Sequence, residues 1–382
     1  MVVDGHNFMF KTLCILPLGK NGMWLETKKD VDMFSSKLMQ NFVAGVRDFK
    51  NIIGNIVFTV DSASWRKSLG VYEYKAGRHT EEKINWDNFK ECANKFYKEL
   101  NDMGVTISKA EGAEADDLIF YWSNKLTTDG VPVIINSSDK DMLQLVRNNN
   151  GTNCECLQYS TVTKKLYVPD GFVKKRESAM PKSIDDFFSS GKNTGVVERY
   201  GQLSDLVKKK KLELLEINAD RELVVKILTG DKSDNIPSAY TVEKNGRVYG
   251  ITELKADSVL AKFREKTGEP FCAELLFVEQ AVEMLGACVK EVAKADCELE
   301  KITKGITENT KYIFLSYHTI PNNIVENMRG CVNISEHKKQ KINLDAILAK
   351  NTSPVEMSIG VLKGAEETDY SFIKNKSKNG LF

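Results

Sequence analysis

Eight carboxylates fall in five short clusters, almost every one placed where an apolar, strand-like run ends or a helix-like run begins. Asp4 closes the run in VVDG, Asp61 closes NIVFTVD, and Asp139 and Asp141 follow VPVIINSS. Glu114 and Asp116 open the stretch EGAEADDLIFYW, while Asp231 and Asp234 stand in the turn GDKSDN. In a parallel α/β sheet the carboxyl ends of the strands gather along one edge, so acids distant in sequence converge there. Like charges brought that close repel, and the group is stable only if it is protonated or neutralised by a cation. With hard oxygen donors and no nearby His or Cys, the cation that fits is magnesium, with manganese able to substitute. Any one cluster is equally an ordinary helix cap or turn. Caps alone give no reason for all of them to recur at one sheet edge.

The elements that must position these acids follow from periodicity. Strands are predicted at 2–4, 56–61, 105–109, 131–137 and 155–159, and helices at 30–50, 88–100 and 115–126, where apolar residues recur at helical spacing. Alternation of strand and helix predicts a parallel sheet with crossover connections over residues 1–168. Residues 169–222 read as a polar, irregular insertion, partly helical near its end, with basic runs at 174–176 and 208–211. A helical region is expected over 223–292, a small C-terminal domain over 293–354, and a flexible Lys- and Ser-rich tail over 355–382.

Composition sets the outer bounds. A chain of 382 residues that is 42% hydrophobic is ordinary for a soluble globular protein. The formal net charge is +1, yet eight acids committed to one pocket leave a distinctly basic remaining surface, as phosphate binding needs. The eight cysteines are scattered without a C-x-x-C pair, which predicts free thiols in a reducing compartment. No apolar run reaches transmembrane length and no charged leader precedes a short apolar core, so a cytoplasmic monomer with no membrane contact is expected.

Taken in order, VVDG, TVDS, YKAGR, EGAEADD, SSDKDMLQL and GDKSDNIPS resemble the 5′-nuclease, or flap endonuclease, superfamily. The segments SASWRKSLGVYEYKAGR, INWDNF and YIFLSYHTIPNNIVENM are similar to its ribonuclease H branch in T-even bacteriophages. The resemblance covers most of 1–168 and 223–350. It implies a PIN-like (Rossmann-like) α/β core with a helical arch near 66–100, then a helical DNA-binding region and a small C-terminal domain. In two respects the chain departs from the family: after GDKSDN the stretch SAYTVEKNGRVYG lacks the G-x-G of the family's phosphate-binding hairpin, and the arch region between Arg78 and Leu100 is short.

By the same resemblance, two magnesium ions would be held, one by Asp4, Asp61, Glu114, Asp116 and Asp139, the other by Asp141, Asp231 and Asp234, with Asp117 in an outer role. Two such ions can supply a nucleophile from water and stabilise both phosphoryl charge and the departing oxygen. Lys75 and Arg78 match the family's arch basics and would act on the scissile phosphate, while Tyr74, Arg66 and Lys67 would touch nucleic acid. The implied activity is 5′ to 3′ exonuclease and flap endonuclease cleavage of DNA and of RNA in RNA–DNA hybrids, removing primers or flaps in phage lagging-strand replication. Flapped or nicked duplex and RNA–DNA hybrid would be substrates, and a sliding clamp or single-strand-binding protein would be a partner, the clamp through Leu381 and Phe382. Two other readings are a PIN-like endoribonuclease, which usually lacks the arch basics and the GD-x-x-DN turn, and a catalytically silent junction binder, which would have lost ligand acids.

Overall fold

A computed structural model describes residues 1–19, 21–76, 83–149, 151–152, 154–179, 194–337 and 342–350. Over residues 1–136 strands and helices alternate. Strand β1 (Val2–Asp4) runs directly into α1 (Gly5–Cys14), which the sequence pattern does not reveal. Asp4 is both the last residue of the strand and the cap of the helix, accepting from the Asn7 N–H at 3.0 Å. Gly5 is required at this junction, because a Cβ there would lie 2.1 Å from the Thr59 carbonyl oxygen. Helix α2 (Lys28–Phe49) begins in a reciprocal Thr27/Asp30 capping box and is followed by β2 (Val57–Thr59). Then come α3 (Trp86–Asp102), β3 (Thr106–Ser108), α4 (Ala115–Thr128) and β4 (Val133–Asn136).

A short strand β5 (Asn148–Asn149) pairs with β6 (Cys154–Ser160), and β6 turns back into β7 (Lys165–Pro169). Helices α5 (Phe172–Ala179) and α6 (Thr194–Lys210) precede β8 (Glu213–Ile217). The sheet order is β3-β2-β1-β4-β6-β7-β8, with β5 also on β6. Pairing along this order is parallel except between β6 and β7. The period of two in each strand sends successive side chains to opposite faces. Val3, Phe58 and Ile134 pack with α1, α2 and α3, whereas Val2, Val57, Val133 and Ile135 pack with α4.

Two expectations about segments change. Residues 169–222 are not an irregular insertion throughout: β8 extends the sheet, and Leu203, Leu206 and Leu212 lie in the main apolar core. The strand forms here because the edge of β7 is otherwise unpaired.

The second half is helical: α7 (Ala219–Thr229), α8 (Glu253–Thr267), α9 (Glu279–Ala293) and α10 (Leu299–Ile313), with the antiparallel hairpin β9 (Thr241–Lys244) and β10 (Arg247–Gly250) between α7 and α8. Ile302 and Ile306 of α10 share one core with α7, α8 and α9. Helix α11 (Asn322–His337) then returns to the sheet, where Ile324, Val325 and Met328 join the α4 face, and α12 (Leu344–Ala349) buries Ile347 in the α1–α3 core. Residues 293–350 therefore divide among three cores and do not stand apart as a small domain. No helix among the described residues is long and apolar enough to cross a membrane.

Candidate metal centre

Asp4 ends β1, and Asp61 and Asp139 follow within three residues of the ends of β2 and β4. Asp4 is buried; its second oxygen accepts from Ser137 Oγ at 2.7 Å, and Ser137 Oγ in turn accepts from the Asp139 N–H at 3.0 Å. Gln158 of β6 fixes the same loop from beneath, its amide donating to the carbonyls of Ser137 and Asp139. The Asp139 carboxylate accepts from the Asp141 N–H at 2.9 Å. Burial, together with repulsion from Asp139 and Asp61, pushes the Asp4 carboxyl up to about 6. Burial and repulsion from Asp4 and Asp139 push Asp116 well above the usual carboxylate range. Asp4, Asp61, Glu114, Asp116 and Asp139 thus share one field.

Other acids carry their own cations. The Lys75 ammonium lies 2.5 Å from Glu114 Oε1, and Arg66 Nη1 lies 2.7 Å from Glu114 Oε2. Against the cost of burial, these two cations hold the Glu114 carboxyl down to about 2. His6 Nδ1 sits 2.5 Å from Asp61 Oδ2, and the Ala115 N–H donates to Asp61 Oδ1 at 2.5 Å. Despite burial, His6 brings the Asp61 carboxyl down to about 2. Lys226 joins Asp141 to Asp231 and, against burial, keeps the Asp231 carboxyl low. Asp116 lines a small cleft together with Asp141, Asp231 and Asp234. Among the described residues no three His, Cys, Asp or Glu side chains form a group able to hold a metal ion. The acids that side-chain cations engage are drawn toward those cations, which is the arrangement repulsion among carboxylates favours when lysine, arginine and histidine supply the countercharge.

Residues 73–75 and the GDKSDN turn are docked on each other. Lys75 has a left-handed backbone, φ 60°, and its N–H donates to the Asp234 carbonyl at 3.0 Å. The Asn235 amide, on a residue with φ 61°, donates to the Glu73 carbonyl. Gly230 has φ 74°, and a Cβ there would meet the Pro237 carbonyl oxygen at 2.3 Å, so the turn needs its glycine.

Two expected nucleic-acid contacts are corrected. Arg66 is 2% exposed: its guanidinium pairs with Asp117 and Glu114 and donates to the Tyr312 carbonyl. Tyr74 is also buried, its hydroxyl donating to Glu114 at 3.2 Å, which leaves no face for a base. Both sit beneath the cluster because the charges they serve are buried there. Lys67 is exposed on the turn Trp65–Leu69. Asp117 lies wholly buried behind the acids, bonded to Arg66, the Trp65 indole and the Glu114 N–H. Arg78 and the Leu381–Phe382 end lie outside the described residues. The sequence pattern suggests no nearby His, yet His6, which immediately follows Gly5, is bonded into the cluster. Lys226 escapes the pattern too; its one local signal is its place in the helix that leads into GDKSDN.

Residues 1–177 match the model of the 5′-3′ exonuclease N-terminal resolvase-like domain. A 5′-3′ exonuclease of Mycoplasma pneumoniae is 33% identical over 88 residues, covering 23% of this chain and 30% of the relative. The flap endonuclease Xni of Photorhabdus laumondii is 29% identical over 138 residues, covering 35% of this chain and 50% of the relative. The chain thus spans half or less of the length of these relatives. A structure of T5 5′-exonuclease with divalent zinc bound aligns over 88% of this chain and 98% of that one, at 16% identity and a TM-score of 0.46. It is the N-terminal part of the chain, residues 1–177, that is similar to the resolvase-like domain of 5′-3′ exonucleases.

Proposed function

We propose that the chain is a magnesium-dependent 5′ nuclease that hydrolyses phosphodiesters of flapped or nicked DNA and of RNA paired to DNA. The observation that carries this is that Asp116, which feels the charges of Asp4, Asp139 and Glu114, lines one small cleft with Asp141, Asp231 and Asp234, while Lys75 pairs with Glu114 beside them. Their donor set fits hard divalent cations: carboxylate oxygens, two of them on acids that burial and then mutual repulsion keep reluctant to ionise. Asp4, Asp116 and Asp139 would hold one ion, with Asp61 and Glu114 acting through water, since their oxygens are already engaged by His6, Ala115, Lys75 and Arg66. Asp141, Asp231 and Asp234 would hold the other. Such ions supply a water-derived nucleophile and charge at the phosphoryl and departing oxygens.

The chain's own residues do the rest. Lys75, fixed by its N–H on Asp234, presents a cation where the scissile phosphate would lie against the acids. Arg66 and Asp117 lock the start of α4, so Glu114 and Asp116 keep their place as substrate binds. The β9–β10 hairpin leaves the GDKSDN turn and exposes Lys244, Arg247 and Tyr249, a surface suited to duplex backbone even without the G-x-G pattern. Removal of primers or flaps in lagging-strand replication is the role that this substrate class supports.

The test is digestion of 5′-labelled flap, nicked and RNA-primed duplexes, with and without magnesium, by the wild type and by Asp139→Asn. Cleavage that needs magnesium and vanishes in the variant while DNA binding persists is the expected result. Near-wild-type turnover by Asp139→Asn would remove the assignment.

A further inference from the structure

We propose that Lys226 is a tethered cation for the second acidic group. Its ammonium occupies the place between Asp141 and Asp231 and must leave before a divalent ion can join them, so the two groups load in order, the Asp4 group first. The proposal rests on the metal-nuclease reading above.

Lys226 lies on α7 between Val225 and Ile227, which are both buried in the helical core. With those neighbours fixed, the side chain at 226 is carried to the one place where it reaches acids of two different elements. Its Nζ lies 2.8 Å from Asp231 Oδ2 in the turn and in direct contact with Asp141 Oδ1 on the turn Lys140–Leu145. All three side chains are at most 22% exposed, so water screens the pairs poorly. Asp141 Oδ1 is buried and receives no hydrogen bond, so the ammonium is its compensation. Asp231 is also held by the Ser233 N–H and hydroxyl, so its position does not depend on the lysine.

The first group differs. Asp4 takes neutral hydrogen bonds from Asn7 and Ser137, and among the described residues no ion pair reaches Asp4, Asp116 or Asp139. A divalent ion entering there displaces no lysine. An ion entering between Asp141 and Asp231 competes with a cation that is covalently attached and always present at high effective concentration.

Manganese titration of DNA-free protein by calorimetry tests this. The wild type should show two classes of site, the second at least 10-fold weaker. In K226M, which keeps much of the aliphatic stem, the second class should tighten by at least 10-fold while the first stays unchanged; K226R, which keeps the charge, should preserve the separation. An unchanged second class in K226M overturns the proposal but leaves the metal reading standing, since two ions still bind. Absence of manganese binding to the wild type overturns both. Because K226M removes a buried charge and could fail to fold, the wild type alone provides an independent check. In manganese-soaked crystals, an ion between Asp141 and Asp231 must coincide with Lys226 Nζ moved away from both acids, and an ion bound with Lys226 still paired overturns the proposal.

Discussion

Lys75 carries two constraints at once: a left-handed backbone fixed through its N–H to Asp234, and an ammonium held on Glu114. If its charge strengthens the transition state, Lys75→Ala should lower single-turnover cleavage by about 10²-fold or more, with a much smaller change in affinity measured in calcium. Equal rates with weakened binding would reduce Lys75 to a docking contact. Arg66 should behave otherwise, because its guanidinium is buried and compensates two acids. Arg66→Ala would leave Glu114 and Asp117 without that partner and should cost about 3–5 kcal/mol in urea unfolding. A variant of wild-type stability would contradict the role given to it. The acids were legible because residue type and position at a strand end are local facts. Their countercharges were not, since Arg66, His6 and Lys226 acquire their roles through contacts the chain makes only once folded. For the same reason Arg66 and Tyr74, polar residues in a basic, aromatic stretch, read as a nucleic-acid surface and are buried instead.

Strands 2–4, 57–59, 106–108 and 133–136 were legible as apolar runs ending in polar residues, and α2, α3 and α4 as helical stripes. Helix α1 was not, because a three-residue strand runs into it through Gly5 with no intervening loop to mark the change. Strand β8 alternates weakly and sits behind a polar stretch, so its pairing with β7 is decided by the free edge of the sheet. The hairpin after GDKSDN was hidden for a different reason: its turn is Asn245-Gly246, both with positive φ, which is a hairpin signal and not the G-x-G pattern of the family. At this scale the hairpin should act through charge. Changing Lys244 and Arg247 together to alanine should lower the slope of log affinity against log salt by roughly 0.9 for each phosphate the protein ceases to neutralise. Cleavage of saturating substrate should survive. An unchanged slope would exclude the hairpin from duplex binding.

Across the molecule, the fold holds acids under opposing influences, and this sets how stability varies with pH. Glu114 and Asp61 are held low by cations, so their contribution is present above the unfolded carboxylate range and is lost as pH falls toward about 2. Asp4 has the opposite sense. Its folded value of about 6 exceeds the unfolded 3.8, so the native state holds the proton more tightly and stability falls as pH rises from about 4 to 6. That loss is on the order of 3 kcal/mol. His6, also raised, loses its contribution above its ordinary 6.5, outside this window. Asp4→Asn cannot ionise, so chelator-treated Asp4→Asn should gain on the wild type steadily between pH 4 and 6 and keep the advantage at pH 7. Magnesium should reverse the order, because an ion bound to the native wild type stabilises it by mass action while the variant has lost a ligand oxygen of full charge. Thermal melts of both proteins at pH 4, 5, 6 and 7, with chelator and with magnesium, measure the two effects separately. Parallel curves in chelator would mean that Asp4 does not bear the charge repulsion that the cluster places on it.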